Sequence, residues 1–169
     1  MKYTIAGILI TFCFFTACVK TNSTCSHTDA NITASAAEIA DVQHYLDTSG
    51  ITNATQAPAG FFYHISSPGT GNSVSNLCTT VTASYKGKLR TGVVFDSSNA
   101  GSPIIAPLWN FIVGWQKGIP LINSGGTITL YIPPSLGYGN VAQTASGHPT
   151  IPANSMLIFD ITVLSFQNQ

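Results

Sequence analysis

The sequence predicts an α+β fold, in which a twisted antiparallel β-sheet wraps around one short helix and an extra amphipathic helix precedes the sheet. Three observations carry this expectation. Several stretches after Gly60 alternate apolar and polar side chains with a period of two, as half-buried strands do. One segment, FIVGWQKGIPLI (111–122), is short, apolar and bounded by glycines, which suits one or two helical turns buried under a sheet. Ahead of both, Ser35 stands three residues before Glu38, the spacing of a capping box, and Ile39, Val42, Tyr45 and Leu46 follow at helical intervals.

Taken in order, the chain opens with MKYTIAGILITFCFFTAC (1–18), a single lysine followed by an apolar run from Ile5 to Phe15. A stable helix across a bilayer of roughly 30 Å needs about 20 apolar residues, so this stretch predicts a secretion signal over 1–17, a retained membrane anchor being the alternative. The ending FTAC resembles the bacterial lipobox, with Phe15 where leucine is usual, and makes Cys18 the expected lipidated first residue of the mature chain. More than one acyl chain gives stable attachment, so a membrane is an expected partner through that anchor. Residues 18–34 are polar and short-sided and predict a flexible tether. Residues 35–59 hold the helix, expected over 36–48 and ended near Gly50, and a linker. Its apolar stripe must rest on the domain or on a second copy, and packing on the domain is the favoured expectation.

From 60 to 169 the pattern is that of the main domain. Phe61–Ile65 leads to the turn PGTGNS, and Thr79–Leu89 alternates as a strand. Arg90–Gly92 turns the chain into VVFDSS, and AGSPIIAPLWN, with two prolines, suits an edge strand or bulge. GGTITLYIPP is a strand closed by prolines, and SMLIFDITVLSF is a final strand of about eleven residues.

Composition excludes some functions. Charged residues make up 7% of the chain, and six basic side chains balance six acidic ones, so there is no cluster to neutralise phosphates and no nucleic acid is expected as a partner. Cys13 leaves with the leader, which leaves Cys25 and Cys78 besides Cys18. Two thiols in an exported setting predict a disulfide, two free thiols being the alternative. His27, His44, His64 and His148 are scattered with no paired Cys/His spacing, so neither metal nor cofactor is expected.

The order of segments resembles the FKBP-type peptidyl-prolyl cis-trans isomerase family. The strings that carry it are TVTASYKGKL (Tyr85, Gly87), VFDSS (Phe95, Asp96), FIVGWQKGI (Ile112, Gly114, Trp115, Gly118), IPPSLGYG (Pro133, Tyr138, Gly139) and GHPTIPANSMLIFDITVL (His148, Pro149, Ile151, Pro152, Leu157, Phe159, Asp160). They run from about Gly60 to Phe166, and the preceding helix and lipobox are similar to lipoprotein members of bacterial envelopes. The resemblance implies that Trp115 floors a proline pocket walled by Tyr85, Phe95, Ile112 and Phe159. It further implies that the Ile112 N–H and the Tyr138 phenol donate to substrate carbonyls, that Asp96 sits at the rim, and that His148 and Ile151 lie on a loop bordering the mouth.

The sequence also departs from the family. Ile104 and Ala106 stand where an aromatic is common, which leaves that side more open. Phe111 replaces the usual valine and either narrows the entrance or supplies the missing aromatic. The arginine that often pairs with the aspartate is missing after FDSS, and the mouth loop is one residue short near Thr150.

Such a pocket needs no nucleophile, and the loop GYGNVAQTASGHPTIP (137–152) offers none. The expected activity is isomerisation of X-Pro bonds in proline-containing clients during folding of exported proteins, with periplasm-facing attachment to the outer membrane. The alternative is a catalytically weak chaperone or peptide-binding lipoprotein with the same groove.

Overall fold

The computed structural model describes residues 24–168. The expected signal peptide, the lipidation at Cys18 and the first residues of the tether lie outside them.

Helix α1 (Ala36–Thr48) forms where the capping box requires it. The Glu38 N–H donates to Ser35 Oγ, and the Ser35 N–H donates to Glu38 Oε2. Two donors that a helix N-terminus leaves unpaired are thereby satisfied. The inward stripe, with Val42 and Leu46 buried and Ile39 and Tyr45 partly so, packs on Phe62, Tyr131, Met156 and Ile158 from one face of the sheet. The helix therefore rests on its own domain.

Seven strands form the sheet: β1 (Thr55–Gln56), β2 (Phe62–Ser67), β3 (Thr80–Leu89), β4 (Val94–Ser97), β5 (Ile104–Pro107), β6 (Thr127–Ile132) and β7 (Leu157–Gln167). Every pairing is antiparallel, in the order β1-β2-β6-β7-β3-β4, with β5 also paired to β3. Strand β3 is thus shared, its first half with β5 (Thr80–Ala83) and its second with β4 (Lys86–Lys88). Because β1 pairs with β2, the sheet begins inside the stretch expected as linker.

On the opposite face lies α2 (Val113–Gly118), preceded by a 3-10 turn over Leu108–Asn110 and followed by another over Ile119–Leu121. The helix sits so close to β6 that a Cβ on Gly114 would fall 2.6 Å from the Ile132 side chain. Only glycine permits that approach. The core between α2 and the sheet includes Phe61, Val81, Leu108, Ile119, Leu130, Ile132, Leu157 and Ile161, all at 2% exposure or less.

Residues 24–34, expected as part of a flexible tether, are fastened to the domain instead. Cys25 and Cys78 form a disulfide, His27 stacks on Trp109 at 4.2 Å between ring centroids, and Asp29 pairs with Lys117 at 2.8 Å. The Ala34 N–H donates to the Ala59 carbonyl, and Ala34 is buried. Polar composition predicts poor burial but does not register such pointwise ties. Among the described residues no helix is long and apolar enough to cross a membrane.

Candidate active site

The cavity of interest opens where four elements meet. Strand β3 supplies Tyr85, β4 supplies Phe95 and Asp96, β7 supplies Phe159, and the segment entering α2 supplies Phe111, Ile112 and Trp115. With Ile104, Asn110 and Tyr138 they line a cavity of about 210 Å³.

Trp115 is 3% exposed and sits at the centre of an aromatic cluster. Tyr85 and Phe159 each meet it edge-on, with centroids 5.3 Å away, and Phe95 meets Phe159 edge-on at 5.5 Å. Such geometries favour the positive ring edge over the negative face. Gly87 on β3 makes room for them, since a Cβ there would lie 2.6 Å from the Phe95 ring and 2.8 Å from the Phe159 ring. Phe111, in the turn before α2, stacks on Trp115 with centroids 4.8 Å apart. The indole N–H of Trp115 is buried without a hydrogen-bond partner.

Polar groups are few. The Tyr85 O–H donates to Asp96 Oδ2, and the Ser97 N–H donates to Asp96 Oδ1 at 2.8 Å. Burial, and then the hydrogen bond and charge of Asp96, push the Tyr85 phenol far above its ordinary value. Tyr138, 37% exposed at the rim, is likewise raised by burial and then by the charge of Asp96. Both phenols therefore remain protonated donors at neutral pH. Ile112 is the N-cap residue of α2, and among the described residues its N–H donates to no protein group. The turn that carries it is held by Gln116, whose Nε2 donates to the carbonyls of Phe111 at 2.7 Å and Trp109 at 3.2 Å.

His148 and Ile151 lie one step away. With Gln143, Thr144, Ala145 and Pro149 they line an adjoining cavity of about 230 Å³ that shares the wall of Phe95, Asp96 and Tyr138. The exposed His148 ring places Nδ1 3.1 Å from the Phe95 carbonyl and 3.9 Å from Asp96 Oδ1. Ile151 is 7% exposed and exchanges two backbone hydrogen bonds with Gln143, so it anchors the loop from beneath as well as lining the cavity. Tyr85, Phe95, Asp96, Phe111, Ile112, Trp115, Tyr138 and Phe159 thus share one cavity, and His148 and Ile151 face its neighbour. Sequence reasoning missed Asn110 and Gln116; an amide one residue after the tryptophan carries no signal that it caps the preceding turn. Among the described residues no group of three His, Cys, Asp or Glu side chains is placed to hold a metal ion.

A family model described as FKBP-type peptidyl-prolyl cis-trans isomerase matches residues 71–164. The chain is 40% identical over 121 residues to the FKBP-type peptidyl-prolyl cis-trans isomerase FkpA of Buchnera aphidicola subsp. Schizaphis graminum, covering 71% of this chain and 46% of that protein. It is 44% identical over 107 residues to a probable FKBP-type peptidyl-prolyl cis-trans isomerase of Haemophilus influenzae, covering 63% of this chain and 42% of that one. The chain therefore spans slightly under half the length of these curated relatives. Among solved structures, the crystal structure of FkpA from Escherichia coli superposes with a TM-score of 0.65 at 34% identity, covering 78% of this chain and 60% of that one. A peptidyl-prolyl cis-trans isomerase from Pseudomonas syringae shares the fold, with a TM-score of 0.63 at 23% identity over 83% of this chain and 99% of that one.

Proposed function

The chain belongs to the FKBP-type peptidyl-prolyl cis-trans isomerase family, and on that premise we propose that it accelerates rotation about X-Pro bonds by non-covalent binding in the Trp115 cavity. The observation that carries this reading is the cavity's lining: four aromatic rings around one indole, with a phenol and a free backbone N–H as donors and no nucleophile in reach.

Rotation of an amide costs roughly 18 to 20 kcal/mol because the planar form is held by resonance. The twisted form has lost that resonance and part of its charge separation, so an apolar cavity favours it over the planar ground state relative to water. Stabilisation of this kind is differential binding, and a 10⁴-fold gain requires only about 5.5 kcal/mol from all contacts together. In this reading the proline ring rests against Trp115, the Ile112 N–H and Tyr138 O–H hold the flanking carbonyls, and Asp96 keeps Tyr85 in the wall.

The clients we propose are proline-containing exported polypeptides, met in the cell envelope by a protein anchored through Cys18 to the outer membrane and facing the periplasm. The apolar leader and the FTAC string support this placement. Labelling with radioactive palmitate, lost in Cys18→Ser, tests the anchor. A protease-coupled assay on a short X-Pro peptide tests the activity: the wild-type chain accelerates isomerisation and Trp115→Ala loses most of the acceleration. No acceleration over buffer by the folded wild-type chain would overturn the proposal.

A further inference from the structure

We propose that Glu38 is a positioning residue for the Tyr138 phenol, acting through the one peptide group that joins Pro134 to Ser135. The proposal rests on the isomerase reading above and extends it to the helix outside the pocket.

Glu38 belongs to α1, which touches none of the cavity. Its carboxylate nonetheless has two sets of partners. Within the helix it accepts from the Ser35 N–H at 2.9 Å, the reciprocal bond of the capping box, and from Ser35 Oγ at 3.0 Å. Across the domain it accepts from the Ser135 N–H at 2.8 Å on Oε1 and from Ser135 Oγ at 3.1 Å on Oε2. Ser135 lies in the 3-10 turn Pro134–Leu136, two residues before the Gly-Tyr-Gly that presents Tyr138.

The Ser135 N–H and the Pro134 carbonyl are the two ends of one planar unit. At its other end that carbonyl accepts from the Gly137 N–H at 2.9 Å and from the Gly139 N–H at 2.8 Å, the residues on either side of Tyr138. A carboxylate bonded to the N–H fixes the plane's orientation, because the peptide unit is rigid, and polarises it so that its carbonyl accepts more strongly. The path is therefore continuous: carboxylate, peptide plane, two amides, phenol. Burial alone would raise the Glu38 carboxyl, but the bonds from Ser35 and Ser135 hold it below its ordinary value, which keeps the acceptor charged at neutral pH.

Three variants of the full chain test this by prolyl isomerisation kinetics and by amide hydrogen exchange at Gly137 and Gly139. Glu38→Ala is expected to lower kcat/KM by no more than Tyr138→Phe does, about 2- to 10-fold, through kcat, and to speed exchange at both glycines by about tenfold. Ser35→Ala weakens the same helix cap but spares the Ser135 bonds, so it is expected to lower the melting temperature while leaving both readouts at wild-type values. In a Tyr138→Phe background Glu38→Ala is expected to change kcat/KM less than about twofold, since the two act as one unit. Unchanged exchange at Gly137 and Gly139 in Glu38→Ala overturns the proposal, as does an equal loss of kcat/KM in Ser35→Ala or a fully multiplicative double variant. A wild-type chain without isomerase activity overturns the proposed function instead, and exchange at the two glycines then decides the positioning alone.

Discussion

Two phenols and one carboxylate meet at the cavity, and their linkage fixes what pH and substitution do there. The folded-state value of the Tyr85 phenol lies above its unfolded value, through burial and then the bond to Asp96. Its contribution to stability is therefore whole below about pH 10, the ordinary tyrosine value, and is lost as pH climbs beyond it. The urea midpoint is expected to fall as the pH rises from about 10 to about 11.5, and Tyr85→Phe, which has no proton to lose, is expected to flatten part of that fall. Tyr138 stands differently. Its O–H donates to no group among the described residues and its ring is exposed at the rim, so under the proposed function Tyr138→Phe removes a bond made only with substrate. Neutral hydrogen bonds contribute about 0.5 to 1.5 kcal/mol, which sets the expected loss in kcat/KM at about 2- to 10-fold, with the melting temperature within about 2 °C of wild type. A Tyr138→Phe variant with full activity would remove that donor from the mechanism.

At the scale of elements, the segment 25–34 acts as a strap. It crosses from the disulfide at Cys78 past Trp109 and Lys117 to Ala59, and so holds down the turn and helix that carry Phe111, Ile112 and Trp115. Closing a separation of 53 residues stabilises the fold by about 4 kcal/mol in the loop-entropy account. Cys25→Ser in the full chain is expected to lose up to that amount in denaturant unfolding and to increase acrylamide quenching of Trp109, already partly exposed, as the His27 stack opens. Unaltered quenching would mean that the stack and the Asp29–Lys117 pair hold the strap unaided. Two cysteines in sequence were enough to expect the bond, yet the strap was not legible, because a stacked histidine and one ion pair leave no periodic trace. Helix α1 was legible for the opposite reason: Ser35, Glu38 and the spacing of Val42 and Leu46 are local signals that agree with one another. The aromatic positions of the cavity could be placed through the family resemblance, whereas the stacking of Phe111 on Trp115 and the second use of Glu38 depend on tertiary approach alone.

At the scale of the whole molecule, charge is scarce and, among the described residues, mostly committed. Lys88 pairs with Asp160, Arg90 with Asp41 and Lys117 with Asp29, while Asp47 accepts from Gln43 and Glu38 from two serines. Asp96 is the one carboxylate lining either pocket cavity, and it is bonded to Tyr85 with His148 beside it. A net charge of zero supplies no long-range field to gather charged clients. Recognition must then come from apolar contact and short hydrogen bonds, which salt does not screen. For a neutral X-Pro peptide, kcat/KM is expected to change less than about twofold between about 50 mM and about 500 mM sodium chloride, where the screening length falls from beyond 10 Å to a few ångströms. Peptides flanked by lysine or by glutamate probe Asp96 directly. Their kcat/KM values are expected to differ by no more than about threefold at the lower salt, in favour of lysine, and to converge at the higher, because a single half-exposed carboxylate acts at short range. A steep salt dependence with the neutral peptide would contradict this account of a pocket whose one carboxylate acts only at short range.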